Sequence, residues 1–313
     1  MFLQQSIKPE NKFWKYILGS LIIILASAVG QMPLLIAVIY KKFVDGGSLE
    51  NFHFDETTLM TTLDKNTTLF LLLFSSLIAL VGIFFVVKYL HQQTFKSIIT
   101  SRSKIDWNRV AFAFLLWAAI TIIITAVDYY MSPNDYVFNF KLIPFLILLL
   151  IGVIMIPIQT SVEEFVFRGY LMQGFANLSY NKWFPLLMTS VIFGVMHIAN
   201  PEVQKLGYVT MVYYIGTGLF LGILTLMDDG MELSLGFHAA NNLIGALLVT
   251  TDWSVFKTHS ILKDISEPNA GFDIVLPVII IFPIILFIFS KKYGWTNWKE
   301  KLTGNLSRNQ EKI

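Results

Sequence analysis

The chain has 313 residues, of which 55% are hydrophobic and only 14% are charged. This composition and the mean hydropathy of +0.63 exclude an ordinary soluble domain, in which about a quarter of the residues are charged. The absence of cysteine excludes disulfides, thiolate metal sites and cysteine nucleophiles. The formal net charge of +2, without a dense basic run, gives no indication that nucleic acid is a partner.

Apolar runs separated by polar breaks predict a bundle of about eight transmembrane helices. The even alternation of a transmembrane β-barrel is absent from these runs. The predicted fold class is therefore all-α, a polytopic membrane helical bundle, forming a single integral membrane domain over residues 1–313. The predicted spans are about 14–40, 68–90, 110–127, 142–162, 183–199, 208–227, 231–250 and 274–290.

The distribution of basic residues predicts that both termini are cytoplasmic. With the amino terminus inside, only seven of the 23 lysines and arginines face outward, at positions 41, 42, 65, 141, 205, 257 and 263. The polar stretch 42–67 then becomes an external loop, and the tail from Lys291 onward becomes a solvated cytoplasmic end.

Two adjacent carboxylates and an arginine follow a strongly apolar run, in the segment EEFVFRG at 163–169. Glu164 and Arg168 are four residues apart, so a helix places them on one face, where they can pair. Glu163 is rotated about 100° from its neighbour and is left over. Because a charge near the bilayer centre costs roughly 2.5 to 3.5 kcal/mol, Glu163 is expected to face a polar cavity or a partner.

A simpler interpretation places this segment in the lipid headgroups. Thr160 and Ser161 precede the carboxylates, and Ser161 with Glu164 has the spacing of a capping box. On this interpretation a new helix starts at the interface, and the charges are solvated rather than buried.

The alternative is one continuous helix over about 142–176, kinked at Pro157, that leads to a turn near residue 180. Glu163 and His197 each lie 17 residues from that turn. Two antiparallel helices would therefore hold both side chains at the same depth, roughly 25 Å from the turn.

Two of the five histidines lie within predicted spans. Phe193 and His197 are four residues apart in FGVMH, and His238 and Asn242 are four apart in HAANN, so each pair shares a helix face. A lone histidine in a membrane helix can be a structural hydrogen-bonding residue. One hydrolytic site explains a carboxylate, two imidazoles and an amide more simply than separate structural roles do.

These groups are suited to two mechanisms of hydrolysis. In the first, Glu163 is the general base toward a water that His197 positions, and His238 and Asn242 donate hydrogen bonds to the oxyanion. In the second, Glu163, His197 and His238 bind a divalent metal such as zinc, with the fourth position left for water. The HExxH motif of many zinc proteases is absent, so the sequence leaves open whether the cofactor is a metal or none.

Two further features have structural explanations. Gly218 and Gly222 form a GxxxG pattern, which predicts close packing of the sixth span against a neighbouring helix. Asp228, Asp229 and Glu232 form an acidic turn before the seventh span, and solvation of a short loop accounts for them.

The segments EEFVFR (163–168), FGVMH (193–197) and HAANN (238–242) resemble the EExxxR, FxxxH and HxxxN motifs of the CPBP family. This family contains the CAAX-protease and bacteriocin-processing intramembrane endopeptidases, including the Rce1-like prenyl proteases. The resemblance covers roughly residues 142–250, which are expected to form a CPBP-like catalytic core.

The resemblance implies roles for the first two motifs. Glu163 would activate the water, and Glu164 and Arg168 would support it. His197 would help to hold the water, and Phe193 would pack beside the site.

In the third motif, the resemblance implies that His238 and Asn242 stabilise the oxyanion. Members of the family have been described both as metalloproteases and as glutamate-dependent enzymes without a tightly bound metal, so both types stay open here. The implied partners are a membrane-associated peptide or protein substrate and the lipid bilayer, and the implied location is a bacterial inner membrane.

Two hypotheses from other classes compete with an enzyme. One is a non-proteolytic membrane scaffold, or a partner in bacteriocin self-immunity or regulation, that retains the motifs for structural reasons. The other is a transporter, which a single compact polar cluster disfavours because transport pathways carry charges across the membrane. A complete Glu, His, His and Asn set favours the enzyme.

Overall fold

The computed structural model describes residues 2–8, 10–46 and 56–307. The middle of the predicted external loop and the last part of the predicted tail lie outside the described residues. The helices are α1 (Phe13–Val44), α2 (Glu56–Thr61), α3 (Lys65–Phe85), α4 (Trp107–Met131), α5 (Leu142–Glu164), α6 (Met172–Ser179), α7 (Trp183–Val195), α8 (Pro201–Leu206), α9 (Thr210–Asp228), α10 (Glu232–Leu248), α11 (Phe282–Tyr293) and α12 (Trp298–Thr303). Wider π turns occupy Val86–Leu90, Phe165–Leu171 and Pro277–Ile281. The strands are β1 (Tyr136–Phe138), β2 (Val249–Thr250) and β3 (Leu262–Asp264).

Five helical stretches of the described chain are long and apolar enough to cross a membrane: Phe13–Val44, Lys65–Leu90, Trp107–Met131, Leu142–Ser179 and Thr210–Asp228. Only 22% of the most apolar window of α1 and 17% of that of α4 is buried inside the protein, against 56% for α9. The outer helices therefore present apolar side chains to lipid, and α9 lies in the interior.

The predicted helical membrane bundle is confirmed, and each of the eight predicted spans coincides with a helix. By length and composition five of these helices qualify as membrane-crossing, so the structure does not confirm a count of eight.

The central helix is α10. All residues over 231–240 are buried, and α10 packs against α4, α5 and α9. Trp117 of α4 contacts Phe237 of α10 with ring centroids 4.4 Å apart. His238 and Asn242 therefore project from a helix that is surrounded by protein rather than by lipid.

Glycines bring α9 close to α7. A Cβ on Gly218 would lie 2.8 Å from the carbonyl oxygen of Ser190, and a Cβ on Gly222 would lie 2.5 Å from the side chain of Leu186. Both distances are below van der Waals contact, so larger residues at these positions would separate the helices. The predicted role of the GxxxG pattern is confirmed.

A continuous helical stretch runs from Leu142 to Ser179, with Pro157 inside α5 and a π segment over Phe165–Leu171. It ends at Tyr180, whose φ of 53° is left-handed and reverses the chain into α7. The predicted long helix and its turn near residue 180 are therefore confirmed. The capping-box interpretation is wrong, because no helix begins at Ser161.

The two ends of the bundle differ. At one end the short strands pair in the order β1-β3-β2, with β1 and β3 antiparallel and β2 and β3 parallel. At the other end the two termini of the described chain meet, where the side-chain amide of Gln4 donates to the carbonyl oxygen of Ser307 at 2.8 Å. Both described termini thus lie on one side of the bundle, and the cytoplasmic orientation of that side stays a prediction.

The acidic turn before α10 is not a solvated loop. Asp228 is 5% exposed and Glu232 is fully buried. Arg102 binds both carboxylates at 2.9 Å, and Arg109 binds Asp228 at 2.5 Å. These four residues, the arginine clamp, join α4 and the segment before it to the end of α9 and the start of α10. The solvation prediction is wrong because the partner arginines lie more than a hundred residues away in the sequence.

Candidate active site

The site surrounds a cavity of about 690 Å³ that extends from the middle of the bundle toward the β-sheet end. Residues of α3, α5, α7, α9 and α10 line it, together with the segment that follows β2. Five of the seven predicted site residues line the cavity: Glu163, Phe193, His197, His238 and Asn242. The remaining two lie behind the wall of the cavity.

Those two residues, Glu164 and Arg168, form a fully buried ion pair. Nη1 of Arg168 lies 2.8 Å from Oε1 of Glu164, and both side chains are 0% exposed. Nη2 of Arg168 donates to the carbonyl oxygen of Gly218 at 3.2 Å, and the guanidinium lies 4.4 Å from the ring centroid of Phe193. The predicted pairing is confirmed, and it connects the long helix to α9 and to α7.

His238 lies between the two carboxylates. Its Nδ1 is 2.8 Å from Oε1 of Glu164, and its Nε2 is 3.5 Å from Oε2 of Glu163. Because the Glu164 oxygen also accepts from Arg168, it acts as an acceptor toward the ring, and Nδ1 carries the hydrogen. The buried ion pair therefore fixes the tautomer of His238 and directs Nε2 at Glu163.

Glu163 is the accessible member of the cluster. Its side chain is 28% exposed, whereas that of Glu164 is completely buried. Its second carboxylate oxygen, Oε1, accepts a hydrogen bond from the side-chain amide of Gln159. Glu163 is thus held on both sides and still faces the cavity.

His197 does not lie on a helix, contrary to the prediction. α7 ends at Val195, and His197 is in the turn that follows, with its backbone N–H bound to the carbonyl oxygen of Gly194. Asn200 is extended, as the residue before a proline favours, and residues 196–199 form the turn between the two helices. The chain then begins α8 at Pro201.

The ring of His197 is held in one orientation at the cavity. Its Nδ1 lies 2.7 Å from the carbonyl oxygen of Phe193, and its ring stacks on Tyr214 with centroids 4.4 Å apart. A carbonyl oxygen only accepts, so Nδ1 carries the hydrogen and Nε2 is the nitrogen available to a water or a substrate.

Phe193 lies between the two imidazoles. It is 2% exposed, and its ring centroid is 4.7 Å from that of His197 and 6.1 Å from that of His238. Phe167 packs edge-on against it at 5.2 Å. Phe193 thus forms an apolar wall that fixes the positions of both histidines.

Asn242 lines the cavity, but neighbouring side chains use part of its hydrogen-bonding capacity. Its side-chain nitrogen donates to Oε1 of Gln159 at 3.2 Å, which uses one of its two hydrogens, and its oxygen accepts from Asn241 at 3.1 Å. Sequence reasoning missed Gln159 and Asn241. Gln159 carried a signal, because it is a polar residue four positions before Glu163 in an otherwise apolar helix.

The residues at the site do not fit the alternative of a resident metal. Within residues 2–8, 10–46 and 56–307, no three His, Cys, Asp or Glu side chains are grouped as metal ligands. Glu163, His197 and His238 share a cavity but do not converge as a three-ligand set.

Comparisons with known proteins agree with this site. Residues 141–244 match the family model described as type II CAAX prenyl endopeptidase Rce1-like. The chain is 29% identical over 289 residues to a Bacillus subtilis (strain 168) protein named "Uncharacterized protein YyaK", and the alignment covers 91% of this chain and 95% of that one. No solved structure matches.

The matched segment contains all seven predicted site residues, and the description of its family supports a peptidase kind of function. The same description supports a membrane-associated peptide or protein as the kind of substrate. Residues 141–244 are thus similar to the Rce1-like family, and this match confirms the resemblance to the CPBP family that the motifs indicated.

Proposed function

We propose that this protein is an intramembrane endopeptidase that hydrolyses a peptide bond of a membrane-associated peptide or protein, with Glu163 as the general base. One observation carries the proposal: the Glu163 carboxylate is 28% exposed to a 690 Å³ cavity and lies 3.5 Å from Nε2 of His238. A base must reach water and must have a route for the proton that it removes. Glu163 has both.

The first step is the attack of water on the carbonyl carbon. Glu163 removes one proton from a water that Nε2 of His197 orients, and the oxygen of that water forms the new bond to carbon. The second hydrogen on the Asn242 amide is directed to the oxyanion. The tetrahedral intermediate therefore meets a donor on α10 and a base on α5.

The second step is the departure of the amine. The proton on Glu163 passes to Nε2 of His238, where the imidazolium is stabilised by Glu164 through Nδ1 and by Glu163 itself. As the C–N bond breaks, this proton transfers to the leaving nitrogen, and the carbonyl re-forms as a carboxylic acid. Glu163 and His238 return to their starting protonation states.

The direct test compares the parent protein with Glu163→Gln in a purified cleavage assay on a library of membrane peptides. The amide is isosteric but cannot take the proton, so cleavage is expected to fall by about 10²- to 10⁴-fold. Parent-like cleavage by this variant would reject the mechanism. Absence of cleavage by both proteins would favour the scaffold hypothesis, which does not require the carboxylate.

A cellular version of this test identifies substrates. Membrane proteomes of cells that carry Glu163→Gln are compared with those of parent cells, and substrates are expected to accumulate uncleaved in the variant. Because no ligand set for a metal is grouped among the described residues, cleavage is also expected to survive exhaustive chelation. Loss of cleavage that zinc restores would contradict this expectation.

We also propose that the protein resides in a bacterial inner membrane with both termini in the cytoplasm. The support is the predominance of basic residues near the end of the bundle where the described termini meet. The chain has no cysteine, so a single cysteine introduced at Lys8 or at Lys141 reports its side of the membrane. Only Lys141→Cys is expected to react with an impermeant thiol reagent added outside.

A further inference from the structure

A directional series of hydrogen bonds leads to Glu163. The indole Nε1 of Trp117 donates to Oδ1 of Asn241 at 3.1 Å, and Nδ2 of Asn241 donates to Oδ1 of Asn242 at 3.1 Å. Nδ2 of Asn242 donates to Oε1 of Gln159 at 3.2 Å, and Nε2 of Gln159 donates to Oε1 of Glu163. We call Trp117, Asn241, Asn242 and Gln159 the amide relay.

The direction of the amide relay is set at both ends. The indole N–H of Trp117 can only donate, and the carboxylate oxygen of Glu163 accepts. Each amide between them therefore has its oxygen toward Trp117 and its nitrogen toward Glu163. Rotating any one amide by 180° would place two donors or two acceptors against each other, at a site where a lost partner is costly.

The start of the amide relay is rigid. Trp117 is 6% exposed and packs against Phe237 and Phe282 with ring centroids 4.4 and 6.1 Å away. Asn241, Asn242 and Gln159 line the cavity, whereas Trp117 lies behind them. A packed aromatic residue on α4 thus anchors a series that crosses α10 and reaches α5.

We propose that Gln159 is a positioning residue for Glu163, and that Asn241 and Trp117 hold Gln159 in the active orientation. The bond to Oε1 turns the carboxylate so that Oε2 faces Nε2 of His238, which restricts a side chain that is otherwise 28% exposed and free to rotate. This inference rests on the proposed function, because it assigns the positioning of its general base.

The first experiment measures kcat, KM and the pH profile of Gln159→Ala and Gln159→Glu with a peptide that the parent cleaves. Gln159→Ala is expected to lower kcat by about 10- to 100-fold with KM unchanged, since positioning rather than binding is lost. Gln159→Glu keeps the shape of the side chain but places a second carboxyl group against that of Glu163. The two groups must then share one proton to keep the hydrogen bond. The activity of this variant is expected to move to lower pH by about one unit.

The second experiment tests whether Trp117 acts through Gln159. Trp117→Phe keeps the aromatic packing and removes the donor, so kcat is expected to fall by about 3- to 10-fold. The double variant Trp117→Phe/Gln159→Ala is expected to be no slower than Gln159→Ala alone, because the two changes break one series. The matched control is Trp295→Phe, which removes the indole donor to Asp228 at 3.2 Å and is expected to leave kcat unchanged.

The outcomes separate this inference from the proposed function. If Glu163→Gln cleaves like the parent, the proposed function fails. If Glu163→Gln is inactive while Gln159→Ala keeps the parent kcat, only the positioning role is overturned. Multiplicative losses in the double variant, or an unshifted pH profile for Gln159→Glu, would also overturn it. Melting temperatures of all variants in detergent show whether a lower kcat reflects unfolding.

Discussion

Two regions of this protein bury carboxylates against arginines, and they differ in whether every carboxylate has an arginine partner. In the arginine clamp, Oδ2 of Asp228 binds Arg102 and Oδ1 binds Arg109. The oxygens of Glu232 bind Arg102 and the backbone N–H of Asp106. Every carboxylate oxygen of the clamp thus has a donor from the protein.

At the candidate active site, Glu164 is paired with an arginine, whereas Glu163 has an imidazole beside it. Glu164 takes the charge of Arg168 and the Nδ1 hydrogen of His238, and no arginine is within ion-pair distance of Glu163 among the described residues. Glu163 faces an imidazole and an open cavity instead. A buried carboxylate whose oxygens all have protein donors stabilises the fold, whereas an extra carboxylate at a cavity is available for chemistry.

The largest expected effect is the loss of activity in His238→Ala. This change removes the group that takes the proton from Glu163, so kcat/KM is expected to fall by about 10²- to 10⁴-fold. The buried ion pair of Glu164 and Arg168 remains, so most of the stability should remain as well. Cleavage kinetics and thermal melting in detergent check this together, and a parent-like kcat/KM would show that His238 has no role in the reaction.

Arg168→Met is expected to have the next largest effect, and it acts on stability. The change leaves Glu164 buried without its cation, and breaking a fully buried pair costs about 3 to 5 kcal/mol. Activity should fall as well, because Glu164 no longer holds His238 as it does in the parent. Thermal unfolding in detergent gives the loss, and an unchanged midpoint would reject the stabilising role of the pair.

The control for that change is the double variant Glu164→Gln/Arg168→Met. Removing both charges leaves no uncompensated ion in the interior, so stability should recover relative to Arg168→Met alone. Activity should stay low, since the anionic partner of His238 is gone. Recovery of activity together with stability would mean that the pair serves the fold alone.

A smaller effect is expected at the arginine clamp. Arg102→Met removes one cation from two buried carboxylates but leaves Arg109 in place, and Arg102 is 25% exposed, so a loss of about 2 to 3 kcal/mol is expected. The kcat of the folded fraction should match that of the parent. A kcat that falls without a change in melting temperature would show that the clamp acts on the active site and not on stability alone.

Several of these features could be predicted from the sequence alone. The unpaired position of Glu163 followed from helical spacing, because a residue adjacent to the ion pair is rotated about 100° from it. The long helix, the turn near residue 180 and the close approach at Gly218 also followed from local pattern. Charge cost and helix geometry act over a few residues, and a single sequence carries that information.

Other features depended on distant parts of the chain. The solvated loop assigned to Asp228 and Glu232 was wrong because the burial of these residues is decided by Arg102 and Arg109. The end of α7 at Val195, which leaves His197 in a turn, was not indicated by an apolar pattern that continues to residue 199. The amide relay joins three helices, so its order of donors and acceptors required the packed structure.

The smallest expected effect concerns His91, a buried histidine that lies outside the candidate active site. His91 is 3% exposed and contacts Asn11 at 3.2 Å and Tyr170 at 2.9 Å. Among the residues that the structure describes, no carboxylate forms an ion pair with it, in contrast to His238. Burial, together with the charge of Lys15, lowers the pKa of His91 from 6.5 to about 4.

The folded state therefore binds fewer protons at His91 than the unfolded state does. The contribution of this residue to stability is complete above pH 6.5 and is lost as the pH falls toward 4. Between pH 7 and pH 5 the loss is expected to be about 1 to 2 kcal/mol. Unfolding of the parent and of His91→Gln at both pH values isolates this contribution. The glutamine should flatten the dependence, because it keeps a hydrogen-bonding side chain but does not titrate. An equally steep pH dependence in His91→Gln would assign the acid sensitivity to other groups and leave His91 as a purely packing residue.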